Sequence, residues 1–175
     1  MINIVLFEPE IPQNTGNIMR SCVATGSKLH LIKPLGFSLD EKSIKRSGAN
    51  YIDKLDYKVY ENFDEFQKQN KGSYYYFTRY GKKAHSDFDY SNKEENIYLI
   101  FGRESTGIDK KILKGNLDKC IRIPMLSDVR SLNLSNCVAI VLYEVLRQQD
   151  YNDLLRYEPH KGKNFLEDLD IKCNL

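Results

Sequence analysis

Three short stretches of the chain combine residue types that could do chemistry. The first is Asn14-Thr15-Gly16-Asn17-Ile18-Met19-Arg20, which sets Asn14, Asn17 and Arg20 at i, i+3 and i+6, so on a helix they share one polar face. Gly16 leaves room for a close approach by backbone or ligand. A helix N-terminus with free amides beside a guanidinium suits a phosphate, although an ordinary capped helix with a surface arginine has the same letters. The second is Phe101-Gly102-Arg103-Glu104-Ser105-Thr106-Gly107, where two glycines bracket a loop able to offer backbone amides and carbonyls to a ligand. It is neither the GxGxxG dinucleotide fingerprint nor a lysine-bearing phosphate loop, and alone it also reads as a tight turn. The third is Ile123-Pro124-Met125 followed by Ser131-Leu132-Asn133-Leu134-Ser135-Asn136. Apolar residues and free backbone groups of this kind can sandwich and read a flat adenine ring. Ser131, Asn133, Ser135 and Asn136 can each cap a helix or bind a polar ligand. Capping needs only one or two of them, and the surplus points to a small-molecule cofactor at this junction.

The elements that must position these stretches follow from pattern. Ile2–Phe7 is a β-branched run and reads as a buried strand, followed by a loop over Glu8–Gln13 with two prolines. Asn14–Thr25 reads as a helix with Asn14 or Thr15 near its N-cap and Gly26 as terminator. Leu29–Ile32, Tyr74–Thr78, Ile97–Phe101 and Cys120–Ile123 read as further strands. Helices are expected from Asp40 to about Arg46, over Asn62–Gln69, from Asp109 to Lys114, and over about Leu134 to Gln149. This alternation argues for an α/β fold, a largely parallel sheet flanked by helices. Ligands in such sheets gather beyond the carboxyl ends of the strands, which here carry Glu8–Asn17, Thr78–Gly81, Gly102–Gly107 and Pro124–Asn136. In the last helix Val138, Val141, Leu142 and Val145 form one apolar stripe, while Cys137, Ala139, Ile140 and Leu146 fill much of the other side. A helix apolar nearly all round needs cover nearly all round. One face is expected on the sheet and the other against a second subunit in a homodimer; a central helix of one larger core is the alternative.

Bulk properties bound the function. A chain of 175 residues suits one domain, and 41% hydrophobic with 29% charged residues is an ordinary globular composition. No apolar run approaches the ~20 residues that a membrane helix needs. The stretch MINIVLFEPEIP lacks a basic leader region and carries Glu8 and Glu10, so the expected location is cytoplasmic with no membrane partner. Cys22, Cys120, Cys137 and Cys173 are scattered and read as buried free thiols. His30, His85 and His160 are far apart, and no metal-ligand spacing occurs. The net charge of +2 is mild for a nucleic-acid binder, but basic clusters stand at Lys42-Ser43-Ile44-Lys45-Arg46, at Arg79-Tyr80-Gly81-Lys82-Lys83, and at Lys110, Lys111 and Lys114. Phosphate contacts would need such residues; a solvated face is the plainer reading.

The three motifs, in this order, resemble the signature of the SPOUT superfamily of RNA methyltransferases. NIVLFEPEIPQNTGNIMR and RSLNLSNCVAIVLYEVLRQ are similar to that pattern over long runs, and the resemblance covers residues 1–151. It is nearest to the small tRNA (cytidine/uridine-2′-O)-methyltransferases of the wobble nucleotide. The resemblance implies a single domain over 1–151 with a C-terminal deep trefoil knot. The tail beyond it, 152–175, is mixed in charge and poor in pattern, so a loosely packed or disordered extension is expected there. It implies S-adenosyl-L-methionine as methyl donor, with S-adenosyl-L-homocysteine as product and no metal. Its partners would be a tRNA anticodon loop, in leucine tRNAs, and a second copy of the chain. Carried over by residue, Phe77, Thr78, Gly102, Ile123, Met125, Ser131 and Leu132 would hold the cofactor. Arg20, Asn14, Glu104 and Asn136 would form the catalytic set, and Asn17, Arg130 and Tyr143 would contact the substrate. A sulfonium methyl is already an activated electrophile, so in-line positioning carries most of the acceleration. Arg20 stays protonated in water and suits an electrostatic clamp, with a water, a phosphate or a carboxylate taking the ribose proton. Two other classes are weaker. A silent RNA-binding module could dispense with Arg20 and the glycine-bracketed loop, which this chain has. A nicotinamide-dependent oxidoreductase needs a glycine fingerprint after the first strand, where this chain has Glu8-Pro9-Glu10.

Overall fold

A computed structural model describes residues 1–39, 52–151 and 154–168. Seven strands form one sheet: β1 (Ile2–Phe7), β2 (Lys28–Ile32), β3 (Tyr57–Tyr60), β4 (Ser73–Phe77), β5 (Lys83–Ala84), β6 (Ile97–Phe101) and β7 (Cys120–Arg122). Their order is β3-β2-β1-β6-β4-β7-β5, and every paired neighbour is parallel. Among the described residues the α-helices are α1 (Pro12–Thr25), α2 (Phe63–Gln69), α3 (Lys110–Lys114) and α4 (Leu134–Gln148).

A parallel sheet covered on both faces wants strands apolar on both sides. All six residues of β1 and all five of β6 are buried. The side-chain alternation then divides two cores. Ile4 and Leu6 point into a layer shared with Ile18, Met19, Val138, Val141 and Val145 of α1 and α4. Val5 and Phe7 point into a layer with Phe63, Phe66, Ile108 and Leu113, on the side of α2 and α3. The chain runs outward from β1 through β2 to β3, then returns to the other side of β1 with β4 and β6. That reversal lies between β1 and β6, and a crevice opens beyond the carboxyl ends there. The sheet order is consistent with the C-terminal knot that the resemblance implies.

Several boundaries differ from the sequence reading. Helix α1 begins at Pro12 with Ile11 as an extended N-cap, not at Asn14 or Thr15. Proline is favoured at the first helical turn because the amide it lacks has no partner there, so the second proline opens the helix instead of prolonging the loop. Gly26 ends α1 at φ +68, as its lack of a Cβ permits. Strands β3 and β5 are additions; β3 is largely exposed at the sheet edge and β5 has only two residues. The expected helix from Asp40 to Arg46, with its basic cluster, lies outside the described residues, as does Cys173. Within one chain, cover around α4 is incomplete. Val138, Val141, Leu142, Val145 and Leu146 are buried, but Ile140 is 40% and Tyr143 50% exposed. Beyond α4, Tyr151 and Leu154 pack against the core, while the described residues from 155 to 168 are turns and almost all exposed.

Candidate active site

The glycine-bracketed loop after β6 is a closed turn. Gly107 sits at φ +76 and its amide donates to the Arg103 carbonyl at 3.0 Å. A Cβ on Gly102 would lie 2.2 Å from backbone atoms of Gly107 and Ile108, so only glycine lets the turn shut. The tight-turn reading therefore holds, and the closed turn still presents its outer edge to the crevice.

Three carboxylates knit this turn to the loop after β1. Glu104 accepts from the amide of Glu10 at 2.9 Å, the amide of Ile11 at 3.3 Å and Asn14 Nδ2 at 2.9 Å. Glu10 accepts from the Ser105 amide at 2.9 Å and its hydroxyl at 2.7 Å, and these bonds lower the Glu10 pKa. Glu8 pairs with Arg103. Asn14 then joins the third motif, because Asn133 Nδ2 donates to Asn14 Oδ1 at 2.9 Å. Asn133 also caps α4, its Oδ1 accepting from the amides of Ser135 at 2.9 Å and Asn136 at 3.4 Å. One residue thus does the capping and links two motifs, which leaves Ser131 at the cleft. The sequence offers Asn133 as a cap or a polar ligand contact, and it both caps α4 and lines the cleft.

Together these loops enclose a cleft of about 770 Å³, within the range of small-molecule sites. Phe77, Thr78, Gly102, Ile123, Met125, Ser131 and Leu132 all line it. Asn14, Glu104 and Arg130 line it as well. Phe77 and Phe101 contribute stacked rings with centroids 4.8 Å apart, and Ile108 and Leu134 add apolar wall. The lip carries residues that were not nominated: Arg79, Tyr80, Lys110 and Arg122. Arg79 and Tyr80 stand in the basic cluster directly after a strand and Lys110 in the one with Lys111 and Lys114, whereas Arg122 lies inside a strand and carried no signal.

Four nominated residues do not line the cleft. Asn17 and Arg20 are exposed on α1, and Asn136 and Tyr143 are exposed on α4. The expected common face of Asn14, Asn17 and Arg20 is therefore split. Asn14 is only 6% exposed because Glu104 and Asn133 hold it inside, whereas Asn17 and Arg20 face outward. Among the described residues no group of His, Cys, Asp and Glu is arranged to hold a metal ion. Cys22, Cys120 and Cys137 are free, and burial pushes the Cys22 thiol up to about 12.

Residues 1–143 match the model of the SpoU rRNA Methylase family. The chain belongs to this family. A tRNA (cytidine(34)-2′-O)-methyltransferase of Yersinia pestis is 45% identical over 165 residues, spanning 90% of this chain and all (100%) of that protein. A Geobacillus stearothermophilus protein, provisionally given the same name, is 49% identical over 154 residues, 87% of this chain and 98% of its own. A solved structure bearing on 2-OH methylation of C/U34 on tRNA superimposes with a TM-score of 0.79 at 36% identity, covering 86% of this chain and 97% of that one. The SpoU membership and the seven-strand parallel sheet agree with the fold that the motifs imply.

Proposed function

We propose that the chain transfers a methyl group from S-adenosyl-L-methionine to the ribose 2′-hydroxyl of the wobble nucleotide, cytidine or uridine 34, of tRNA. The observation that carries this reading is that the seven residues expected to hold the cofactor, from three distant segments (Phe77 and Thr78, Gly102, and Ile123 to Leu132), meet in one cleft, in a chain whose full-length relatives bear that name. The cleft fits the donor in size and chemistry. Ile108, Ile123, Met125, Leu132 and Leu134 supply an apolar wall for an adenine, Ser131 and Thr78 supply hydroxyls, and Gly102 keeps the turn shut beside it. When bound, the donor supplies a methyl already activated on a sulfonium. The protein's task is then orientation and care of the ribose proton.

Glu104 serves as a positioning residue. Its oxygens are taken by three N–H donors, so it anchors the start of α1 over the cleft and is not the proton acceptor. Arg20 acts as a clamp on the ribose oxygen or the adjoining phosphate. Because Arg20 lies outside the cleft of its own chain, we place it at the cleft of a second copy. The exposed stripes Gln13, Asn17, Arg20 on α1 and Asn136, Ile140, Tyr143, Arg147 on α4 recur at helical spacing. Their pairing across a homodimer would cover Ile140 and set Arg20, Asn17, Asn136 and Tyr143 near the substrate. No helix among the described residues is long and apolar enough to cross a membrane, and we assign the enzyme to the cytoplasm. Residues 1–151 then form the catalytic domain and 152–175 an appended segment.

Mass-spectrometric mapping of ribose methylation tests the reading, with tRNA and rRNA from cells with and without the protein. The 2′-O-methyl mark should vanish at position 34, with leucine tRNAs the first to examine. Its loss from rRNA alone would replace tRNA as substrate.

A further inference from the structure

The lip of the cleft carries a feature that the methyl-transfer reading leaves unused. Tyr80 follows β4 and is 54% exposed, although it is a large aromatic beside an apolar cavity. It is not loosely held. The Arg79 guanidinium carbon lies 4.9 Å from the ring centroid, and Arg79 Nη2 donates to the phenolic oxygen at 2.8 Å. The Tyr80 amide donates to Thr78 Oγ1 at 3.3 Å, and Thr78 itself lines the cleft. Arg122 Nη1 donates to the Arg79 carbonyl. Gly81 is pressed onto β7, where a Cβ would stand 2.4 Å from the Ile121 carbonyl carbon and 2.7 Å from the Arg122 amide. The turn therefore fixes an aromatic ring at the mouth of the cleft, backed by a guanidinium.

The surroundings are cationic. Arg79, Lys110, Arg122 and Arg130 line the same cleft. None of the four is in an ion pair with a carboxylate among the described residues. The Arg79 hydrogen bond, with Lys110 and Arg130 adding positive field, holds the Tyr80 phenol below its usual pKa. A rigid exposed ring among unpaired cations is the arrangement that binds single-stranded nucleic acid, where bases stack on aromatics and phosphates meet the cations. Ribose chemistry adds a reason for it. The sugar of the target nucleotide must face the methyl donor, so the neighbouring nucleotides need their own holds.

We propose that Tyr80, braced by Arg79, is a stacking platform for an RNA base adjacent to the methylated nucleotide, with Lys110, Arg122 and Arg130 holding the flanking phosphates. This rests on the RNA-methyltransferase reading and extends it to how the loop is gripped.

The chain contains no tryptophan, so Tyr80→Trp places a single indole on the platform. Titrating that variant with an anticodon stem-loop RNA should quench its fluorescence, while a duplex RNA of equal charge should not. Tyr80→Ala should weaken stem-loop binding by ~5- to 100-fold, the range for one lost base stack. Tyr80→Phe should bind near the wild-type level, and all three variants should keep their affinity for S-adenosyl-L-homocysteine. Stem-loop binding seen by anisotropy with an unchanged indole signal would overturn the platform alone. So would a Tyr80→Ala chain that binds RNA as the wild type does. A wild-type chain that binds no stem-loop would sink both the platform and the reading beneath it.

Discussion

Glu104→Gln is the perturbation that probes how the site is assembled. The carboxylate joins the second motif to the first through Glu10, Ile11 and Asn14, and Asn14 passes the link to Asn133 of the third. Glutamine keeps the shape and removes the charge. Its one carbonyl can still meet the two donors on the Oε1 side, Ile11 and Asn14, but its amide then faces the Glu10 amide, donor against donor. The loss is at least one bond to a charged acceptor, about 1.5–3 kcal/mol. Part of the pocket is open to water, so the expected cost is about 2 kcal/mol. For a domain of this size that is ~4–8 °C in Tm. Urea unfolding should show it as a lower midpoint at unchanged slope. Calorimetry should show weaker binding of S-adenosyl-L-homocysteine, because Asn14 and the turn at Gly102 both line the cleft. A stability change under ~0.5 kcal/mol, the size of an ordinary surface substitution, would refute the claim that Glu104 anchors the three loops.

Three further outcomes follow from the same geometry. Gly102→Ala forces a Cβ to within 2.2 Å of Gly107 and Ile108 backbone, so the turn must open; calorimetry should register at least a tenfold loss of S-adenosyl-L-homocysteine affinity, on the order of 1.4 kcal/mol. Arg20→Ala should abolish methyl transfer while cofactor binding survives, and equal loss of both would contradict the clamp role. His30 is 1% exposed, with its ring nitrogens on Tyr60 Oη at 2.9 Å and Asn3 Oδ1 at 3.1 Å. Burial is the first cause that pushes its pKa down from 6.5 to about 4. The unfolded chain then takes up the proton first, so stability is full above pH 6.5 and falls as the pH drops toward 4, by roughly 3 kcal/mol from this group. Urea midpoints measured across that window should fall less steeply for His30→Gln than for wild type.

Legibility from sequence tracked how local each signal is. Strands β1 and β6 were readable to the residue because both are β-branched, almost wholly apolar runs buried on two faces, Asn3 being the one polar residue. Helix α4 was readable from its stripe, and its cap was among the residues named for it. Strands β3 and β5 were not, since an exposed edge and a two-residue pairing leave no hydrophobic period. The nominated cofactor residues converge because the motifs occupy loops at one end of the sheet, which the alternation of strands and helices already implied. The Asn133–Asn14–Glu104 chain was invisible, as its bonds join residues 119 and 90 positions apart. The split of Asn14 from Asn17 and Arg20 was invisible for the same reason: helical spacing gives an angle, and long-range partners decide which side of it is buried. Tyr80 stood inside a basic cluster, and only the turn pinned at Gly81 distinguishes it from a solvated surface residue.

The central claim is transfer to a ribose hydroxyl at one nucleotide, and removing that single oxygen tests it most directly. Purified protein with labelled S-adenosyl-L-methionine should methylate a tRNA carrying cytidine at position 34 and leave untouched the same tRNA carrying 2′-deoxycytidine there. Equal incorporation into both RNAs, or none into either, would contradict the account.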